Sequence, residues 1–208
     1  MKKLLFAVCA LAAISLLAPS AGFADPFQNR IGIYTTADAA AASYAATPNV
    51  PFNVYLVAVN PVGATGTWTS LDAFECTVTV THGVADMMFR LSEELAPGAI
   101  NVGTYTDQYN FEYQCGFATP VPIVNGFAQL AKWNVMVLSA GAFNYFLTPA
   151  DPSSVPGSMA LNLTVAGNAD LIGALPSSGA GNVAVFAING TTTPVESESF
   201  SNVKALFR

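Results

Sequence analysis

The sequence predicts an all-β protein folded as a single antiparallel β-sandwich or jelly roll. Its dominant pattern is the alternation of apolar and polar residues, which is the period of a strand with one buried face. Dipeptides that contain Pro, Asn or Gly interrupt these runs at short intervals, as turns between strands do. The chain has 208 residues, a length that suits one domain with a substantial core once a leader is removed.

The first 24 residues have the features of a secretory signal peptide. Two lysines precede an apolar run over residues 4–17, and the small residues Gly22 and Ala24 precede a cleavage point at Asp25. The run is shorter than the roughly 20 residues that a membrane-spanning helix needs. We therefore expect an exported mature chain, located in the extracellular space, at the cell surface or in the periplasm, with no membrane contact after cleavage.

Two segments, residues 73–80 and 109–117, alternate most clearly, and Cys76 and Cys115 fall on their apolar faces. The other strand candidates are 31–35, 52–60, 87–91, 127–138, 142–147, 159–165 and 183–188. The turn pairs between them are Asn60-Pro61, Pro97-Gly98, Asn125-Gly126, Pro156-Gly157 and Gly181-Asn182. Residues 37–46 are rich in alanine but are soon followed by two prolines, which predicts one short helical turn or a loop.

The two cysteines that remain after the leader, Cys76 and Cys115, predict a disulfide. An exported chain folds in an oxidising compartment, where an even cysteine count indicates pairing. Closing a loop of about 40 residues would contribute on the order of 4 kcal/mol in the chain-entropy model. A bond between core-facing positions on separate strands would resemble the inter-sheet disulfide of immunoglobulin-like sandwiches. Two free buried thiols are the alternative.

The chain divides into a signal peptide of residues 1–24, a sandwich domain of residues 25–190 and a polar tail of residues 191–208. The tail is low in apolar residues up to position 201, and then contains Val203, Leu206 and Phe207. One interpretation is a frayed C-terminus. The other is a segment whose three apolar side chains dock on the domain or on a partner.

The balance of charge restricts the classes of partner. Without the leader the chain keeps five basic residues against 13 acidic ones, which argues against nucleic acid and anionic lipid. Charged residues make up only 10% of the chain, so its surface must rely on uncharged polar side chains. Such a surface suits association with other surfaces, and we expect an extracellular protein or a glycan as partner, or another copy of the chain.

No group of residues predicts catalysis, a metal site or a cofactor. His82 is the only histidine and has no cysteine or carboxylate at ligand spacing, so a turn residue is the better interpretation. A glycosidase needs two carboxylates that face each other across a cleft. Glu93 and Glu94 are adjacent and would point to opposite faces of a strand. We expect both to be solvated surface charges, and we expect no catalytic residue.

Three aromatic residues are candidates for stacking against a ligand, namely Trp68, Tyr105 and Tyr109. Trp68 lies in a turn rich in Gly and Thr, where a ring can be exposed. Trp133 instead lies on a strand and shares its face with Ala131 and Val135, which predicts core packing. Exposed flat rings bind sugar faces, so a carbohydrate-binding module is an alternative function.

Two segments carry a family resemblance. An apolar strand that ends in Asn-Pro (FNVYLVAVNP), followed by a loop and the strand LDAFECTVTV, resembles cohesin-like and related bacterial β-sandwich modules over roughly residues 31–188. The ending SFSNVKALFR is similar to the WGxVKALYR-type tails of a set of secreted bacterial proteins, although Phe200 replaces the tryptophan and Asn202 departs from the pattern. The resemblance implies a non-catalytic module for binding or assembly outside the cytoplasm and transfers no site residues.

Chaperone-assembled pilus subunits share the signal peptide, an immunoglobulin-like fold, one disulfide and a low content of charge. They also need an alternating apolar extension that completes the sandwich of the next subunit. Residues 25–34 alternate poorly, and the polar stretch 191–201 interrupts a C-terminal strand. A self-assembling subunit of a pilus or surface layer is therefore the second alternative.

Overall fold

The structure is a computed structural model that describes residues 28–64, 66–165 and 167–192. Within these residues the chain is all-β, with 14 strands and no helix. The strands are β1 (Arg30–Tyr34), β2 (Ser43–Tyr44), β3 (Phe52–Val59), β4 (Val62–Gly63), β5 (Gly66–Thr67), β6 (Ser70–His82), β7 (Met88–Leu95), β8 (Ala99–Asn101), β9 (Asn110–Pro122), β10 (Phe127–Val137), β11 (Phe143–Thr148), β12 (Met159–Val165), β13 (Asn168–Pro176) and β14 (Phe186–Ile188). The predicted signal peptide and most of the predicted tail lie outside the described residues.

The strands form two layers that one strand joins. The first layer has the antiparallel order β1-β3-β10-β7. In the second layer β6 pairs with β9 along one edge and with β11 and β12 along the other. β13 pairs with β12 of the second layer and with β1 of the first, so that a single 12-stranded sheet closes the sandwich on this side.

The predicted all-β sandwich is confirmed, but the purely antiparallel arrangement is wrong. β1 pairs with β13 in parallel, and β14 pairs with β2 in parallel. β13 was not among the predicted strands, because its large apolar residues do not face the core. Leu171 and Leu175 face solvent, whereas the smaller Ala174 and Pro176 are buried. The alanine-rich residues 37–46 contain no helix and form a loop around the short strand β2.

The predicted turn at Asn125-Gly126 is confirmed, and it connects β9 of the second layer to β10 of the first layer. Both residues have positive φ, 53° and 86°, as a two-residue hairpin turn of type I′ requires. Val124 and Phe127 exchange backbone hydrogen bonds across the turn at 2.9 and 3.0 Å. The turn brings β10 back along β3, where its inner side chains enter the core.

The core between the layers is centred on aromatic rings. Trp133 on β10 is 1% exposed, which confirms its predicted core position. Its ring stacks between Tyr113 of β9 and Tyr145 of β11, at centroid distances of 6.4 and 6.3 Å and interplanar angles of 8° and 12°. The stack connects the first layer to two strands that flank β6, so that burial of these rings holds both layers together.

Cys76 and Cys115 are buried free thiols in the structure. They lie on β6 and β9, which are neighbours in one layer, so the predicted inter-sheet arrangement is wrong. Cys76 is opposite Tyr113 and Cys115 is opposite Phe74, which makes the two cysteines diagonal neighbours on the core face. Diagonal positions are typically separated by ~7–8 Å, whereas a disulfide needs Cβ atoms about 4 Å apart. The disulfide stays a prediction.

Candidate functional site

Among the described residues, the layers of the sandwich are not joined by strand pairing on one side. There β7 is the edge of the first layer and pairs with β10, and β9 of the second layer pairs with β6 and β8. The inner face of β7 carries Met88, Arg90 and Glu93 toward this open side, while Glu94 points outward to Lys132. Glu93 keeps the expected surface exposure, since its side chain is 30% exposed, but its carboxylate also contacts side chains of the core.

Glu93 is the centre of a polar network that covers the core at this side. Its carboxylate accepts hydrogen bonds from the Tyr113 hydroxyl and from the Trp133 indole Nε1, the latter at 3.1 Å, and it pairs with Arg90 at 3.2 Å. The Trp133 indole also donates to the Tyr113 hydroxyl oxygen at 2.8 Å. Burial, and then the negative charge of Glu93, raise the pKa of the Tyr113 hydroxyl well above its usual value. That hydroxyl therefore stays a proton donor to Glu93.

Aromatic rings hold the Arg90 guanidinium in place. It lies 4.1 Å from the centroid of the Phe111 ring and 5.0 Å from that of Tyr105, and cation–π attraction stabilises both contacts. Its side chain is only 10% exposed. The network is thus a structural seal in which Glu93, Arg90, Tyr113 and Trp133 hold one another in place.

The predicted stacking residues are not brought together. Trp68 is 3% exposed and its indole Nε1 donates to Asp170 at 3.1 Å, so the expected exposed ring is contradicted. Tyr109 is partly buried, and its hydroxyl is bonded to the backbone N–H and C=O of Met88. Tyr105 alone of the three is exposed, at 60%. A planar sugar platform made of all three rings is therefore absent.

His82 lies at the end of β6, where its ring packs 4.3 Å from the centroid of Tyr109. Its Nδ1 is 2.8 Å from the Gly83 carbonyl oxygen. Across the described residues, no group of three or more metal-ligating side chains gathers. That same part of the chain has no helix of the length and apolarity that crossing a bilayer requires.

A groove with a cavity volume of about 630 Å³ lies at one corner of the sandwich. We call it the corner groove. It is formed by the loop after β1, the turn between β7 and β8, and the turn between β9 and β10 together with the adjoining strand ends. Its apolar walls and its few polar groups are contributed by Ala37, Asp38, Ala96, Pro97, Val121, Pro122, Val124, Asn125, Phe127 and Gln129. The volume lies within the range of ligand sites in proteins, which are mostly apolar with a few polar groups.

The polar groups of the corner groove have definite hydrogen-bonding capacities. The Asp38 carboxylate accepts from the Thr36 hydroxyl and forms none of the salt bridges found among the described residues. Asn125 and Gln129 supply amides that both donate and accept. The turns at Pro97-Gly98 and Asn125-Gly126, which contribute to the groove, were predicted from the sequence. The groove itself was not predicted, because the loop after β1 reaches it only through the pairing of β1 with β3.

The fold and this groove define a β-sandwich protein with an open, mostly apolar binding-site candidate. No family model matches the sequence, and no curated protein matches it. Among solved structures, the chain is similar to a cohesin module of a family 33 glycoside hydrolase from Clostridium perfringens ATCC13124. The TM-score is 0.36 at 6% sequence identity, and the match covers 71% of this chain and 96% of the module.

Proposed function

We propose that the chain is an exported, non-catalytic binding module that holds an extended segment of a protein partner in the corner groove. The groove itself is the observation that supports this proposal. Its apolar walls can bury an apolar side chain of the partner, and Asp38 provides a negative charge at its rim. The segment that fits this chemistry combines an apolar residue with a neighbouring Lys or Arg.

The acidic character of the domain favours the same partner. Residues 28–192 carry three basic and ten acidic side chains. The domain therefore attracts a basic segment at distances shorter than the Debye length, within which salt does not fully screen the charges. Export, which the first 24 residues predict, places the encounter outside the cytoplasm.

The test uses the chain of residues 25–208 and a library of random extended peptides displayed on phage. Two variants decide where the selected peptides bind. Val124→Asp places a charge in the corner groove, at a side chain that is 61% exposed. Leu171→Asp places the same charge on β13, at a side chain that is 44% exposed and distant from the groove residues in the sheet order.

The selected peptides should contain an apolar residue next to Lys or Arg, and they should bind the wild type and Leu171→Asp equally. Val124→Asp should weaken binding at least about tenfold, because it puts an unpaired charge against an apolar side chain. Equal binding to both variants would overturn the proposal. Glycan binding that is lost in Tyr105→Ala but kept in Val124→Asp would replace it with the carbohydrate-binding alternative. A ladder of oligomers in light scattering would replace it with the self-assembling alternative.

A further inference from the structure

Four apolar side chains form a patch on the outer face of the first layer. Phe89 of β7 lies opposite Met136 of β10 in the register, and the Leu138 backbone N–H donates to the Met87 carbonyl at 2.9 Å. Met87, Phe89 and Leu138 are exposed, and Met136 is partly exposed. We call these four residues the methionine patch. Contiguous exposed apolar surface marks interaction sites, and methionine side chains adapt to the shape of what covers them.

The described chain ends beside the turn that leads out of this patch. Residues 138–142 connect β10 to β11. The Asn189 side-chain amide donates to the Gly141 carbonyl at 3.3 Å, and Gly190 lies against Ala142. The Ser139 hydroxyl of the same turn donates at 2.8 Å to Asp86, which directly precedes Met87. Thr192, the last described residue, is therefore within a few residues' reach of the methionine patch.

The sequence that follows Thr192 is long enough to reach the patch and has suitable chemistry. It has 16 residues, and an extended chain spans up to about 3.3–3.6 Å per residue. Phe200, Val203, Leu206 and Phe207 are its large apolar residues near the end. Residues 200–208 carry two basic and no acidic side chains, whereas the domain is strongly acidic.

We infer that the C-terminal segment of residues 193–208 docks on the methionine patch of its own domain. The apolar side chains of the segment cover the four patch residues, and Lys204 lies in the field of the acidic domain. Because the segment is tethered at Thr192, its effective concentration at the patch is high, so modest apolar contact is enough for docking. This surface lies on the outer face of the first layer and is independent of the corner groove.

The methionine methyl groups provide the test. The chain of residues 25–208 contains four methionines, of which Met87 and Met136 belong to the patch while Met88 and Met159 are each 1% exposed in the core. Methyl-labelled NMR spectra are compared between this chain and one that ends at Thr192. Docking requires the Met87 and Met136 resonances to shift on truncation, with Met88 and Met159 unchanged as internal controls. Unchanged Met87 and Met136 resonances would overturn the inference.

Variants of the full segment separate specific docking from a general effect of length. Leu206→Ser combined with Phe207→Ser should reproduce the shifts of the truncation, because it removes apolar contact but keeps every charge. Glu196→Gln combined with Glu198→Gln should leave the patch resonances as in the wild type. If the serine variant retains the wild-type resonances, the inference fails. If the wild-type resonances move to the truncated positions on dilution, the segment docks on a second copy, and docking within one molecule is refuted.

Discussion

Replacement of Glu93 by alanine should destabilise the domain far more than the same replacement of its neighbour Glu94. Both carboxylates form a salt bridge at 3.2 Å, but the Glu93 side chain is 30% exposed and the Glu94 side chain 70% exposed. Glu93 also accepts from Tyr113 and Trp133. The interactions of Glu93 with Arg90, Tyr113 and Trp133 are each taken as about 1 kcal/mol, which is below the value for fully buried charged groups because Glu93 is partly exposed. Their sum predicts a loss of about 3 kcal/mol for Glu93→Ala. An exposed pair is worth at most about 1 kcal/mol, so Glu94→Ala should cost about 0.5 kcal/mol.

Guanidinium unfolding followed by tryptophan fluorescence measures both variants in one experiment. A loss of about 3 kcal/mol should also lower the thermal midpoint by roughly 6–12 °C for a domain of this size. Glu93→Gln is the matched control, since it keeps an acceptor oxygen and should recover about half of the loss. Equal destabilisation by Glu93→Ala and Glu94→Ala would refute the interpretation of the network as a seal over the open side of the sandwich.

Four further predictions concern stability and the cysteines. Trp68→Phe should cost about 1–2 kcal/mol in denaturant unfolding, because Asp170 loses the indole donor; an unchanged midpoint would contradict this. Tyr105→Ala should cost no more than about 1 kcal/mol, the value of a partly exposed cation–π contact, and a larger loss would show that the ring supports the core. If Cys76 and Cys115 are free, a thiol reagent at mildly alkaline pH should label neither in the folded protein and both after denaturation; no labelling after denaturation would show the disulfide. Burial is the larger cause and the negative charge of Glu93 the smaller one that raise the pKa of Cys115 from 9.0 to about 12 in the folded protein. Because the unfolded protein loses this thiol proton at a lower pH than the folded protein, the free energy of unfolding should fall as the pH rises between these two values. The fall should be smaller in Cys115→Ala.

The strands with strict alternation could be predicted from sequence because their physics is local. The segment around Cys76 has period two on β6, and Asn125-Gly126 specifies a type I′ turn by its tolerance of positive φ. β13 could not be predicted in the same way. Its Leu171 and Leu175 point to solvent, and its place is determined by pairing with β12 and β1 across long stretches of sequence.

The site residues required the tertiary structure for a similar reason. Trp68 has the local sequence of an exposed turn, yet its burial depends on Asp170, which is 102 positions away in the chain. The adjacency of Glu93 and Glu94 correctly predicts that their side chains point to opposite faces of the strand. Which of the two carboxylates points inward is determined by a β-bulge in β7, between the residues that pair with Asn134 and Val135. The corner groove combines three separate loops, and no local pattern reports that they meet.

The most direct test of the binding-module proposal is an amide chemical-shift map of the chain of residues 25–208, titrated with a peptide from the library selection. The proposal predicts that the perturbed amides cluster at Asp38, Ala96, Val121, Val124 and Gln129, the residues that line the corner groove. It also predicts that Val124→Asp needs at least about tenfold more peptide to reach the same perturbation of these amides. Perturbations confined to another face of the sandwich, or equal perturbation of the wild type and the variant, would contradict the proposal.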